Sequence, residues 1–122
     1  MKIVSQKLVY FSPTGTTQKI VEAIARGIGL DLVERVDITT PAGRRRAIET
    51  WEDELLIVGA PVYFGRVQTN AIQWLNTIRS HRTPAVCVVV YGNREYDDAL
   101  LELRDAMANN GCVPVTCGAY IG

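Results

Sequence analysis

The chain has 122 residues and a mass of 13.5 kDa, the size of one ordinary domain, and folding such a length buries roughly two thirds of the surface that the unfolded chain exposes. Hydrophobic residues make up 48% and charged ones 21%, with 13 Lys plus Arg set against 13 Asp plus Glu, which excludes a disordered chain and a wholly basic nucleic-acid binder. Cys87, Cys112 and Cys117 are an odd number and make neither a CxxC pair nor a zinc knuckle, so the chain reads as reduced and cytoplasmic. Met1 to Lys7 lacks the apolar core of a signal peptide, and the longest apolar run, Ala85 to Tyr91, is too short for a bilayer, so no membrane association is expected.

In chain order, five apolar, β-branched runs read as strands: Lys7 to Ser12, Leu32 to Ile38, Leu55 to Ala60, Ala85 to Tyr91 and Val113 to Ile121. Helices fall between them. Thr16 to Ile28 places Ile20, Val21, Ile24 and Ile28 on one face, with Gly27 and Gly29 as a stop. Ala42 to Thr50 is a shorter, more polar helix candidate; Asn70 to Arg79 carries Ile72, Leu75 and Ile78; Asp97 to Asn110 carries Leu100, Leu103 and Met107 before Gly111. Strands that are apolar throughout and alternate with helices predict one α/β domain, a doubly wound five-stranded parallel sheet covered on both faces. In such sheets ligands bind beyond the carboxyl ends of the strands, where the strand order reverses, so the loops after strands one, three and four should hold the chemistry.

The first of these loops, Ser12-Pro13-Thr14-Gly15-Thr16-Thr17, leads directly into the first helix. Its short hydroxyls, single glycine and helix N–H groups suit an anion, a phosphate cradle without a lysine. Alternatively Ser12 or Thr14 only caps the helix, and taken alone the two readings compete. The loop after strand three, Gly59-Ala60-Pro61-Val62-Tyr63-Phe64-Gly65-Arg66, offers two adjacent rings, one of them expected to pack down on the third helix. The loop after strand four, Tyr91-Gly92-Asn93-Arg94-Glu95-Tyr96, is a Gly-Asn turn that presents a further ring. The conjunction of phosphate loop, rings and polar turn around one crevice carries the weight. GxGxxG and GxxxxGK[ST] are absent, so neither a dinucleotide turn nor a P-loop is supported. Pro61 and Ser12 stand where a phosphoacceptor domain needs carboxylates, and the first loop lacks the Cys and Arg of a small tyrosine phosphatase.

Ser12 to Thr17 resembles the [ST]-x-T-G-x-T phosphate loop of flavodoxins, and the resemblance covers almost the whole chain. The stretches G-A-P-V-Y-F-G-R and Y-G-N-R-E-Y-D-D-A-L are similar to flavodoxin-like domains that precede a bis-[4Fe-4S] ferredoxin module in one polypeptide, although no such ferredoxin cysteines occur here. The resemblance implies strand order 2-1-3-4-5 and FMN as cofactor. It implies that Ser12, Pro13, Thr14, Gly15, Thr16 and Thr17 hold the phosphate, that Tyr63 or Phe64, on the Pro61-Val62 loop, and Tyr96 flank the isoalloxazine, and that Tyr91, Gly92 and Asn93 line its pyrimidine edge. The Phe64-Gly65 peptide is the candidate neighbour of flavin N5.

By the same resemblance the chain is an electron carrier that takes its flavin through oxidised, semiquinone and hydroquinone states, with an iron-sulfur or flavin protein as partner, which could be a ferredoxin module of the same polypeptide. The alternatives are an NAD(P)H:quinone-type oxidoreductase of this fold and a flavin-free interaction module. Arg66 and Arg94 flank the crevice and are read as solvated, as is the run Arg44-Arg45-Arg46, whose alternative role is docking an acidic partner. His81 lies on the far side from the crevice; Cys87 and Cys117 read as small core residues, and Cys112 is left open. Flavodoxins close with a helix after the fifth strand, whereas this chain stops at Gly122. One face beside Val86 to Val90 is therefore expected to be bare, which implies a longer polypeptide or self-association through that face.

Overall fold

The computed structural model describes residues 2–63, 66–67, 69–92 and 97–121, with Asp97 as backbone only. In chain order the elements are β1 (Ser5–Tyr10), α1 (Thr16–Ile28), β2 (Leu32–Asp37), α2 (Pro41–Arg44), β3 (Glu49–Thr50), β4 (Glu54–Tyr63), β5 (Arg66–Val67), α3 (Thr69–Leu75), β6 (Arg79–Ser80), β7 (Thr83–Tyr91), α4 (Asp97–Asn109) and β8 (Cys112–Ile121). The five long strands form one parallel sheet in the order β2-β1-β4-β7-β8, the order expected. β1 sits where the direction of winding reverses, in register with β2 on one side (Tyr10 opposite Asp37) and β4 on the other (Tyr10 opposite Gly59). Among the described residues, no helix is long and apolar enough to cross a membrane.

α1 runs over the residues its apolar spacing predicts and closes on Gly29, whose left-handed φ of 79° lets its N–H reach the carbonyl of Ala25. α3 and α4 cover the other face, where Leu75, Leu103 and Met107 are buried against Leu56, Val58, Ala85 and Cys87. The two central helix expectations need correction. Ala42 to Thr50 is not one helix: Pro41 and the Thr40 hydroxyl, which accepts from Gly43 N at 3.1 Å, start a single turn, and the chain then extends. Glu49–Thr50 pairs in parallel with Arg79–Ser80, so α3 also stops at Leu75 instead of reaching Arg79. This small sheet is closed by buried hydroxyls, with Thr50 Oγ1 bonded to Ser80 at 2.7 Å and to Thr83 at 2.8 Å. Non-local hydrogen bonds here override helical spacing.

The expected bare face is also displaced. Val86, Val88 and Val90 on β7 are only 8%, 0% and 6% exposed, because α1 packs across β1 and β4 and reaches β7, joining Val21 and Ala25 to Leu8, Tyr10, Ile57 and these valines in one cluster. Gly59 permits it. Gly59 lies directly under α1, where a Cβ would stand 2.5 Å from Val21 Cγ2 and 2.9 Å from Thr17 Cγ2, and Gly118, beside Val88, leaves room for the Tyr120 ring. Exposed apolar surface is therefore shifted outward to the edge strand, at Val113, Val115, Tyr120 and Ile121.

Because Val21 and Thr17 are both β-branched and stiff, Gly59→Ala should overpack this contact and lower stability by about 1–3 kcal/mol. Gly27→Ala, whose Cβ meets nothing within 4 Å on the exposed side of α1, should raise it by about 0.5–1 kcal/mol. Urea unfolding monitored by circular dichroism reads both, and a Gly59→Ala protein as stable as the parent would contradict the close approach.

Candidate functional site

The loops after β1, β4 and β7 leave the same end of three adjacent strands and so lie within two strand spacings, roughly 10 Å. The first of them is the best defined. Gly15 takes a left-handed φ of 88°, with its N–H bonded to the carbonyl of Ser12 at 3.2 Å, and turns the chain into α1. Ser12 does the capping: its Oγ accepts from Gln18 N at 3.0 Å. That bond uses a lone pair and leaves the Ser12 proton free to be donated. The backbone N–H groups of Thr14, Thr16 and Thr17 have no partner among the described residues, nor do their hydroxyls. No acidic residue stands in the first turn of α1. Thr14 and Pro13 are exposed, whereas Thr17 is buried with its methyl group toward Gly59. This donor set, at a helix N-terminus with no competing carboxylate, fits a phosphate dianion.

The loop is supported from behind by residues that the sequence reading assigned to other roles or passed over. Ser12 N donates to Thr39 Oγ1 at 2.7 Å, and Thr39 N donates in turn to Asp37 Oδ1 at 2.9 Å. Arg44, read as part of a solvated run, instead donates to the carbonyls of Ile38 (2.9 Å) and Thr39 (2.8 Å). Its guanidinium lies 3.8 Å from the centre of the Trp74 ring, which itself packs against Phe11 at 5.4 Å between centroids. Arg46 pairs with Glu34 at 2.6 Å, so of the three arginines only Arg45 is without a partner among the described residues. The signal that could have pointed here is the Asp37-Ile38-Thr39-Thr40-Pro41 sequence, which is turn chemistry.

In the second loop Tyr63 pairs with Arg66 across the β4–β5 hairpin and is 45% exposed, while its neighbour Val62 is part of the core and Pro61 is half-buried. Arg66 is not a free cation. It forms a two-pronged pair with Glu102 of α4, at 2.7 and 3.3 Å, and Glu102 also accepts from Val67 N at 3.2 Å, fastening the hairpin to the helix. In the third loop Tyr91 is half-buried and Gly92 exposed. Phe64, Gly65, Asn93, Arg94 and Tyr96 lie outside the described residues. Beneath the first loop, burial above all, and then the charges of Asp37 and Glu22, push the Tyr10 phenol above its usual range, so it stays protonated. His81 is at the opposite end of the sheet, stacked on Trp51 at 4.2 Å and bonded to Glu49 at 2.7 Å.

Comparison with known proteins agrees with the fold. The family model described as "Flavodoxin domain" matches residues 7–121. Among solved structures, a protein of Bacteroides uniformis superposes with a TM-score of 0.70 at 13% identity, covering 99% of this chain and 92% of that one. A Lactobacillus acidophilus flavoprotein in complex with FMN gives 0.61 at 12% identity (94% and 92% covered), and a mutant flavodoxin of Fusobacterium nucleatum bound to flavin mononucleotide gives 0.61 at 16% (99% and 69%). No curated protein sequence matches the chain significantly.

The geometry separates two members of the arginine run. Arg44→Ala should lower stability by about 1–2 kcal/mol through loss of two charged hydrogen bonds and the ring contact, whereas Arg45→Ala should stay within about 0.5 kcal/mol of the parent. Thermal unfolding compares them, and equal effects would contradict the assignment.

Proposed function

The chain belongs to the flavodoxin domain family, and from that premise we propose that it binds FMN and serves as a one-electron carrier. The observation that carries the reading is the first loop: unpartnered N–H groups and hydroxyls converge at the N-terminus of α1, at the carboxyl end of the strand where the sheet order reverses. Thr14, Thr16 and Thr17 would donate to the phosphate, with the free proton of Ser12 beside them. Tyr63 would lie on one face of the ring system and exclude water from it, and the backbone at Gly92 would meet its polar edge. Phe64, Gly65, Asn93 and Tyr96 are proposed for the same crevice on the strength of the family motif. FMN, when bound, supplies reversible one-electron chemistry that no side chain here has. Glu102 neutralises Arg66, so that guanidinium adds little positive charge at the crevice, which favours a low-potential carrier.

For the partner we propose an iron-sulfur protein of ferredoxin type, a reading supported by the likeness of the Gly59 to Arg66 and Tyr91 to Leu100 stretches to domains fused with such modules. Protein loaded with FMN and then desalted should retain a flavin spectrum, resolve two stages in anaerobic titration with dithionite, and leave added NAD(P)H unoxidised. Catalytic oxidation of NAD(P)H by the loaded protein would contradict the carrier reading in favour of an oxidoreductase, and loss of the flavin on desalting would contradict both.

A further inference from the structure

The α4 face of the sheet holds a pair of nucleophiles that the electron-carrier reading does not use. β8 pairs with β7 in parallel, with Thr83 opposite Cys112 and Ala85 opposite Pro114; the register then slips by one residue at Val115, and Cys87 stands opposite Cys117. Were Val115 paired with Val86 instead of bulged, Cys87 would face Thr116, and Cys117 would point to the α1 side of the sheet. The slip therefore brings the two thiols together on one face. Neighbouring strands stand about 4.8 Å apart, so the Cα separation of such directly opposed residues falls inside the range that a disulfide spans. Burial pushes the Cys87 thiol up, and the closeness of Cys117 adds to that shift. Cys87 is fully buried, whereas Cys117, on the edge strand, is half-buried. Cys112 is engaged elsewhere, its thiol donating to Ser80 Oγ at 3.2 Å.

We propose that Cys87 and Cys117 are a dithiol modification site, which a low-molecular-weight disulfide oxidises to an intrachain link between β7 and β8. Cys117, the accessible member, loses its proton to solvent and attacks one sulfur of the reagent, releasing one thiol and forming a mixed disulfide. The Cys87 sulfur then attacks the Cys117 sulfur, and its proton leaves with the second released thiol. Two protein thiols are oxidised and one reagent disulfide is reduced to two thiols. Burial first, and then the neighbouring cysteines, push the Cys87 thiol far up, so the second step is the slow one and the mixed disulfide accumulates transiently.

The test uses the full chain with oxidised glutathione as probe, followed by quenching, alkylation and intact mass measurement. The expected product carries one alkylatable thiol in place of three and retains no glutathione. Trypsin should yield peptide 83–94 joined to peptide 105–122. The latter contains both Cys112 and Cys117, so Cys112→Ser makes the assignment: it should still lose both remaining thiols to a link. Cys87→Ser should stop at a glutathione adduct. Cys117→Ser, a change on the edge strand that leaves the core intact, should form no link. Parent protein that stops at the adduct, that keeps three free thiols, or whose Cys117→Ser variant still forms a link would overturn the proposal.

Discussion

How low α1 lies on the sheet sets the geometry of everything at the carboxyl end of the strands. The helix can approach β4 only because Gly59 carries no side chain beneath Val21 and Thr17. That approach lets one 13-residue helix cover β1, β4 and β7 together, burying Val86, Val88 and Val90, and it places the N-terminus of α1 directly over the carboxyl end of β1. A helix held a side chain's thickness higher would expose the inner valines and carry its free N–H groups away from the crevice. The packing of α1 and the placing of its open N–H groups are two results of one contact.

The loop that opens α1 is held as firmly from below as the helix is from the side. Its Ser12 N–H ends on Thr39, Thr39 is oriented by Asp37, and the carbonyls of that turn are held by Arg44, which in turn rests on Trp74. A site whose donors must be aimed before the ligand arrives benefits from such backing, because the ordering is complete in the folded chain and is not charged against binding. The hairpin carrying Tyr63 is fastened comparably by Glu102 to α4. The first loop is thus tied down by the Thr39 hydroxyl, with Arg44 holding the turn behind it, and the hairpin by the Glu102 carboxylate.

Features governed by neighbours in the chain were legible beforehand. The apolar spacing of Ile20, Val21 and Ile24, with Gly29 after it, defines α1 to the residue, and the hydroxyl run Ser12 to Thr17 marks the turn that leads into it without any knowledge of the fold. Features governed by distant partners were not. The pairing of Glu49–Thr50 with Arg79–Ser80 consists of two residues on each side and has no periodicity to read. Arg44 lies in a run that looks solvated until Trp74, thirty residues later, is brought beneath it. The cover over the inner valines depended on Gly59 as a clearance, whereas in a strand pattern a glycine reads as weakness. The register slip at Val115, which brings Cys117 opposite Cys87, likewise exists only in the assembled sheet.

Isothermal titration calorimetry with FMN and with riboflavin shows whether the open donors of the first loop hold a phosphate, since the two ligands share the ring system and differ in that one group. If those donors hold a phosphate, FMN should bind at least about tenfold more tightly, the difference that a single charge-assisted hydrogen bond supplies. Equal affinities for the two ligands would contradict it.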